Sequence, residues 1–242
     1  SVKRAFQKNG QKRAAKLKRG TATARLRNAT RAGMPLRLNS SAATGGQKVF
    51  GDIYAKGLWR GSGPASGAGS SPFAARTTCL VLLEAIRRAA AERPEGSPVR
   101  ILDAPCGDFT WMPGCLARAR ATFPRVPLRY TGADVVAELV RQLNAGHGHY
   151  LVNSRRAPTP AGVDVEPFLH LDAANVGAMV ALRGRFDVLL SKHMLVHLPS
   201  EQVVRVLDGW SAVGARFDPN KGKKGAAAGP DGDDAVSFWA AY

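Results

Sequence analysis

Cysteine is scarce in this chain. Its 242 residues hold three, Cys79, Cys106 and Cys115, and no two are spaced as CxxC. That sparse, odd set argues against a disulfide framework and against a zinc site, and it points to a reducing compartment. Long apolar runs are also missing: no stretch reaches the roughly 18 apolar residues of a membrane span, so none is expected. Acids are absent from residues 1–48, which carry thirteen Lys or Arg; the first carboxylate is Asp52. The net charge of +17 therefore belongs mostly to this arm, because the remainder holds 22 basic and 18 acidic groups. No internal repeat is visible.

The arm has few large apolar residues and cannot bury enough surface to offset chain entropy, so it reads as disordered or only locally helical. Three readings fit its composition. It resembles an organellar transit segment, which implies a mitochondrion or chloroplast. It could instead be a basic arm that contacts nucleic acid such as RNA, or a solvated tail, and without a transit role the location would be the cytoplasm or nucleus. Residues 49–217 have the composition of a globular domain. Residues 218–242 lose all periodicity and read as a low-complexity C-terminal segment, with Arg216-Phe217 beginning a fifth strand that then gives out.

Within 49–217, Phe50, Tyr54 and Trp59 recur about one helical turn apart. They read as a short helix docked on the core or as a lid, with Gly61, Gly63, Gly67 and Gly69 giving backbone freedom beside a ligand. Residues 71–93 read as a helix capped by Ser71, with Phe73, Leu80, Leu83, Ile86 and Ala90 on its buried face. Strands are expected at 99–103, 128–133, 166–171 and 186–191. Helices are expected at 110–121, 135–144, 173–183 and 200–210, the last with Val203, Leu207 and Trp210 as its buried stripe. A Gly/His/Pro-rich insertion spans 145–162. Four β-α alternations imply an α/β fold, a Rossmann-like, doubly wound, mostly parallel sheet with helices on both faces.

Chemistry concentrates at the strand ends. Asp103 ends the first strand, Asp134 follows the second and Asp172 the third, so three acids would line one edge of the sheet, where ligands of open α/β folds bind. A carboxylate after the second strand can accept both hydroxyls of a ribose. The turn after Asp103 lacks GxGxxG, and Asp134 lies further on than the roughly 20 residues of a dinucleotide fold. An adenosine therefore fits better than a pyrophosphate. His193 and His197 form an HxxxH pair with no third ligand near in sequence, so no metal is expected. His193 is a candidate general base, His197 a structural residue at a helix start, and Cys106 a packing residue.

The run Ile101-Leu102-Asp103-Ala104-Pro105-Cys106-Gly107-Asp108-Phe109-Thr110-Trp111-Met112 resembles the first motif of class I S-adenosylmethionine-dependent methyltransferases, in the subgroup written DAPCGDxxWM. Tyr130 to Val136 is similar to that subgroup's second strand and ribose-binding acid, Leu171-Asp172 to its third motif, and Leu195 to Pro199 to the segment after its fourth strand. Trp59 with Ser66-Gly67-Ala68-Gly69-Ser70 resembles its W…SGxGS segment. The likeness covers residues 50–217 and implies S-adenosyl-L-methionine as cofactor. Asp103 with the backbone of Ala104, Pro105, Cys106 and Gly107 would hold the methionine end, Asp134 the ribose, and Asp172 with Ala173 the adenine. Ser191 and Lys192 would flank the sulfonium and an acceptor that the resemblance does not name. There are departures. Gly63 and Pro64 stand where the subgroup carries an acid, and His193 stands where it tends to have Asp. No terminal antiparallel hairpin is recognisable before Tyr242, so a C-terminally truncated form is expected. Ser191-Lys192-His193-Met194 replaces the Asn-Pro-Pro-Tyr-like segment of enzymes that methylate exocyclic amines of bases or glutamine amides.

Overall fold

Apolar β-branched and leucine-rich runs bounded by Pro, Gly and Asp build a parallel sheet in the computed structural model, which describes residues 45–59, 65–146, 149–152, 155–158, 160–214 and 237–241. All of these lie in one unit, Ser40–Tyr242. The elements are α1 (Gly45–Lys56), α2 (Arg76–Ala91), β1 (Val99–Asp103), α3 (Met112–Thr122), β2 (Leu128–Asp134), α4 (Ala137–Ala145), β3 (His149–Val152), β4 (Arg155–Pro158), β5 (Val163–Val165), β6 (Leu169–His170), α5 (Val176–Val180), β7 (Val188–Lys192), α6 (Ser200–Gly214) and β8 (Ser237–Ala241). The sheet order is β5-β2-β1-β7-β8, with β6 also on β2, and every pairing in it is parallel. The fold is thus α/β and Rossmann-like, as the alternation predicts.

Central strands of a parallel sheet covered on both faces are continuously apolar, and all five residues of β7 are buried. Val99, Ile101, Tyr130, Val188 and Leu190 share one core with α2, α3 and α4. The alternating positions Leu102 and Leu189 are also buried but lie outside that core, as do Met179, Leu182, Val206, Trp210 and Val213 around α5 and α6. Successive side chains of a strand point to opposite faces, so the sheet carries a core on each side.

Several boundaries differ from expectation. Helix α2 begins at Arg76; Ser71 Oγ instead accepts the Ala74 N–H (3.2 Å) in the preceding turn, which leaves Phe73 87% exposed. Of the expected third strand at 166–171 only β6 (Leu169–His170) is strand, while β5 (Val163–Val165) lies just before that range, and the 145–162 insertion contains the antiparallel β3–β4 hairpin. The buried stripe of α6 is Val206, Trp210 and Val213, while Leu207 is exposed. Residues 237–241, expected to be low-complexity, pair with all of β7 as the strand at that edge of the sheet. The low cysteine count is also misleading. Cys79 and Cys115 form a disulfide between α2 and α3 (S–S 2.07 Å), and Cys106 is the free, buried cysteine. The basic arm up to residue 44 and the Gly63-Pro64 departure fall outside the described residues.

Candidate functional site

Strand β1 delivers the chain into the turn Ala104–Asp108, and the neighbouring elements consume that turn's N–H groups. Ala104 N–H donates to Leu190 O (2.9 Å) and Cys106 N–H to Ala133 O (2.8 Å). Gly107 N–H donates to Asp134 Oδ2 (3.1 Å) and Asp108 N–H to Ser66 Oγ (2.7 Å); Pro105 has no N–H. Gly107 is required on two counts. Its φ is +57°, and a Cβ there would lie 2.4 Å from Ser66 Oγ. Phe109 follows with φ 59°, fully buried, its ring 5.2 Å from those of Tyr130 and Phe168. The turn is thereby fixed from beneath.

The three strand-end acids have different surroundings. Asp134 is buried, and its Oδ1 accepts the Val136 N–H (3.0 Å) while Oδ2 holds Gly107. Burial pushes its carboxyl up to about 6, against the opposing pull of those two backbone bonds. Asp172 Oδ1 accepts the Ala174 N–H at 2.9 Å and is only partly covered. Asp103 is 1% exposed; its Oδ2 accepts the Tyr130 hydroxyl (2.8 Å) and its Oδ1 has no partner. Burial pushes that carboxyl up to about 7, with the Tyr130 bond pulling down and the Asp134 charge pushing up.

A strap made of α1 and residues 65–70 covers the turn. Tyr54 Oη and Ser66 Oγ share a 2.6 Å hydrogen bond, and Ser66 N–H donates to Asp108 Oδ2 at 3.2 Å. Burial, then the Asp134 charge, raise the Tyr54 phenol far above its usual range. From the end of β7, Lys192 Nζ donates to Gly69 O (2.7 Å) and lies 3.1 Å from His193 Nδ1. His193 has φ 58°, which is uncommon for a non-glycine residue, and a Cβ on Gly69 would lie 2.7 Å from its ring. Burial lowers the proton affinity of Lys192; burial, then Lys192 and His197, lower that of His193.

These segments enclose a cavity of about 270 Å³ at the carboxyl ends of β1, β2, β6 and β7. Of the residues expected to form a site, Ala104, Pro105, Cys106, Gly107, Asp134, Asp172, Ala173, Lys192 and His193 line it. Asp103 and Ser191 do not. They lie behind the wall on adjacent strands, and each has a buried oxygen without a partner, Asp103 Oδ1 and Ser191 Oγ. Cys106 is buried, and burial pushes its thiol up, away from the thiolate a nucleophile needs. Phe50, Tyr54 and Trp59 also line the cavity. Gln202 and Val206, one helical turn apart on α6, complete the wall and were missed. Their i, i+4 spacing is a helix-face signal that a stripe drawn through Val203 and Leu207 obscures. Among the described residues, no group of three His, Cys, Asp or Glu is placed to hold a metal ion.

No family model and no curated protein matches the chain. Solved structures do match, among them that of a candidate Zn-dependent alcohol dehydrogenase from Rhodobacter sphaeroides, 18% identical with a TM-score of 0.28. That match covers 55% of this chain and 43% of the other, so the chain spans less than half of that protein's length. At such a score the likeness carries nothing about chemistry. Sheet order and cavity position define the class: a Rossmann-like α/β protein with its cavity where such folds bind ligands. No helix among the described residues is long and apolar enough to cross a membrane.

Proposed function

We propose that the cavity binds S-adenosyl-L-methionine and that the protein is a methyltransferase. The observation that carries this reading is the hydrogen-bond state of the turn. A dinucleotide site offers its pyrophosphate free backbone N–H groups at a helix N-terminus. Here the N–H groups of Ala104, Cys106, Gly107 and Asp108 are all engaged within the protein. Helix α3 opens with Met112-Pro113, where proline removes another donor. What the turn can still present is carbonyl oxygen, beside the carboxylates of Asp134 and Asp172. Acceptors of that kind suit an ammonium group and ribose hydroxyls, and they repel phosphate.

On this reading Ala104 to Gly107 hold the methionine end, with Asp103 supporting from behind. Asp134 binds the ribose hydroxyls, and Asp172 with Ala173 takes the adenine. Bound S-adenosyl-L-methionine supplies an electrophilic methyl group on a sulfonium. The protein then has to align donor and acceptor and keep water out. Calorimetric titration of the full chain with S-adenosyl-L-methionine tests this. Saturable one-to-one binding is expected, and Asp134→Ala and Asp134→Asn should each weaken it about 10-fold or more, the loss of charge-assisted bonds. Absence of binding to folded protein overturns the reading.

The charge distribution favours a second reading, a non-catalytic methyltransferase-like component that contacts RNA through residues 1–48, with their thirteen basic groups. Counterion release would make that binding steeply salt-dependent. Deleting residues 1–48 should abolish RNA binding and its salt slope; an unchanged slope sinks this alternative.

A further inference from the structure

The half of the cavity away from Asp134 and Asp172 is built from aromatic and imidazole rings and the Lys192 ammonium. Trp59 packs on His197 (centroids 5.2 Å apart, planes tilted 33°), and Phe50 stands 5.9 Å from Trp59. All three line the cavity, so they give it an aromatic wall. His197 also acts electrostatically on His193, so the wall runs on to the Lys192–His193 pair. Among the described residues the carboxylates lining the cavity are Asp134 and Asp172, both engaged by the donor in the reading above. Among the described lining residues no further acid is left to hold a cationic acceptor, and the Lys192 ammonium repels one. A flat ring finds stacking surface here, and a developing oxyanion finds a positive charge.

Lys192 and His193 are also held in place. The ammonium is tied to Gly69 O, and the left-handed backbone of His193 keeps its ring at Lys192, where a side chain on residue 69 would collide with it. Strained backbone of this kind persists where the surroundings over-determine it, and it clusters at functional sites. With Lys192 3.1 Å from Nδ1 and 3.4 Å from Nε2, the imidazole faces a cation, which favours its neutral form.

Resting on the methyl-donor reading, we propose that the acceptor is a small phenol-class alcohol. Its ring lies on the Trp59–Phe50 wall, and its hydroxyl lies between His193 and Lys192. The O–H proton passes to an imidazole nitrogen of His193 as an oxygen lone pair forms the new O–CH3 bond. The C–S bond breaks with its electron pair going to sulfur, which leaves a neutral thioether, an aryl methyl ether and a protonated His193. Lys192 stabilises the charge on oxygen without exchanging a proton.

The test uses the full chain and three small molecules: phenol, 4-nitrophenol and benzylamine. At a pH where free 4-nitrophenol is protonated, binding should raise its phenolate absorbance, and Lys192→Met should remove that rise. This readout is independent of turnover. With labelled S-adenosyl-L-methionine, methyl transfer to phenol should exceed transfer to benzylamine. His193→Gln should slow phenol methylation about 100-fold or more, the usual scale of general-base catalysis. The same variant should slow the more acidic 4-nitrophenol far less and leave S-adenosyl-L-methionine affinity within about threefold; a purely structural role would slow both phenols alike. Preferred transfer to benzylamine, no transfer to either phenol, or equal loss for both phenols overturns the proposal while S-adenosyl-L-methionine binding stands. If that binding is absent, the methyl-donor reading falls with it.

Discussion

A carboxyl as deeply buried as that of Asp103 keeps its proton up to about pH 7, against 3.8 when it is exposed in the unfolded chain. Between those values the folded state binds the extra proton. Stability from this group is therefore fully present below about pH 4 and is lost as pH rises through 7. Asp103→Asn removes the titration while keeping an oxygen to accept the Tyr130 hydroxyl. Denaturant unfolding at pH 5 and pH 8 should show the variant gaining up to about 2.6 kcal/mol on wild type between the two, since about two pH units of the titration fall in that window. Parallel curves at both pH values would mean that Asp103 is ionised in the fold. Asp134, pushed up to about 6, works the same way on the ligand. Ribose hydroxyls donate to the ionised form, so S-adenosyl-L-methionine affinity should rise as pH passes 6 and binding should release protons, seen as buffer-dependent heats. The acids and the turn are legible in the sequence because strand-end position alone places Asp134 and Asp172 on the cavity. The setting of Asp103 is not, because whether a strand-end carboxyl faces the ligand or lies behind the turn depends on the local course of the backbone. Nor is the left-handed His193, since a histidine, though enriched there among non-glycine residues, adopts positive φ too seldom to signal it.

Elements carry a second lesson through Cys79 and Cys115. They lie 36 residues apart, and each looks like a small buried hydrophobe on its own helix. Only the packing of α2 on α3 brings them to a Cα separation of 5.6 Å. A count and spacing test is blind to that, since pairing is a property of tertiary contact. Closing a loop of this size is worth roughly 2–4 kcal/mol. The double variant Cys79→Ala/Cys115→Ala should therefore melt roughly 5–15 °C lower than the oxidised protein. Reductant should lower the melting temperature of wild type and leave the variant unchanged. Two alkylatable thiols at 79 and 115 in native protein would contradict the bridge. The α6 stripe teaches a related point. Val203–Leu207–Trp210 and Val206–Trp210–Val213 both have helical period, and the phase between them is settled by what the sheet and α5 need. Gly209 fits there because a side chain would meet Met179 at 3.0 Å.

For the whole molecule, the alternation of strand and helix patterns reaches the sheet, its parallel sense and the edge on which ligands bind. It does not reach the pairing of β8 with β7, because five residues after a long aperiodic stretch carry too little pattern of their own. The cavity belongs to this scale as well, since α1, the 65–70 strap, four strand ends and α6 all contribute to it. Its central property is that the Ala104–Asp108 turn presents oxygen and no free N–H. The direct test is paired calorimetry of the same folded sample with S-adenosyl-L-methionine and with NAD. The account predicts saturable one-to-one heat with S-adenosyl-L-methionine, weakened at least about 10-fold by Asp134→Ala, and none with NAD. Binding of NAD, or silence with S-adenosyl-L-methionine at pH 8, would contradict it.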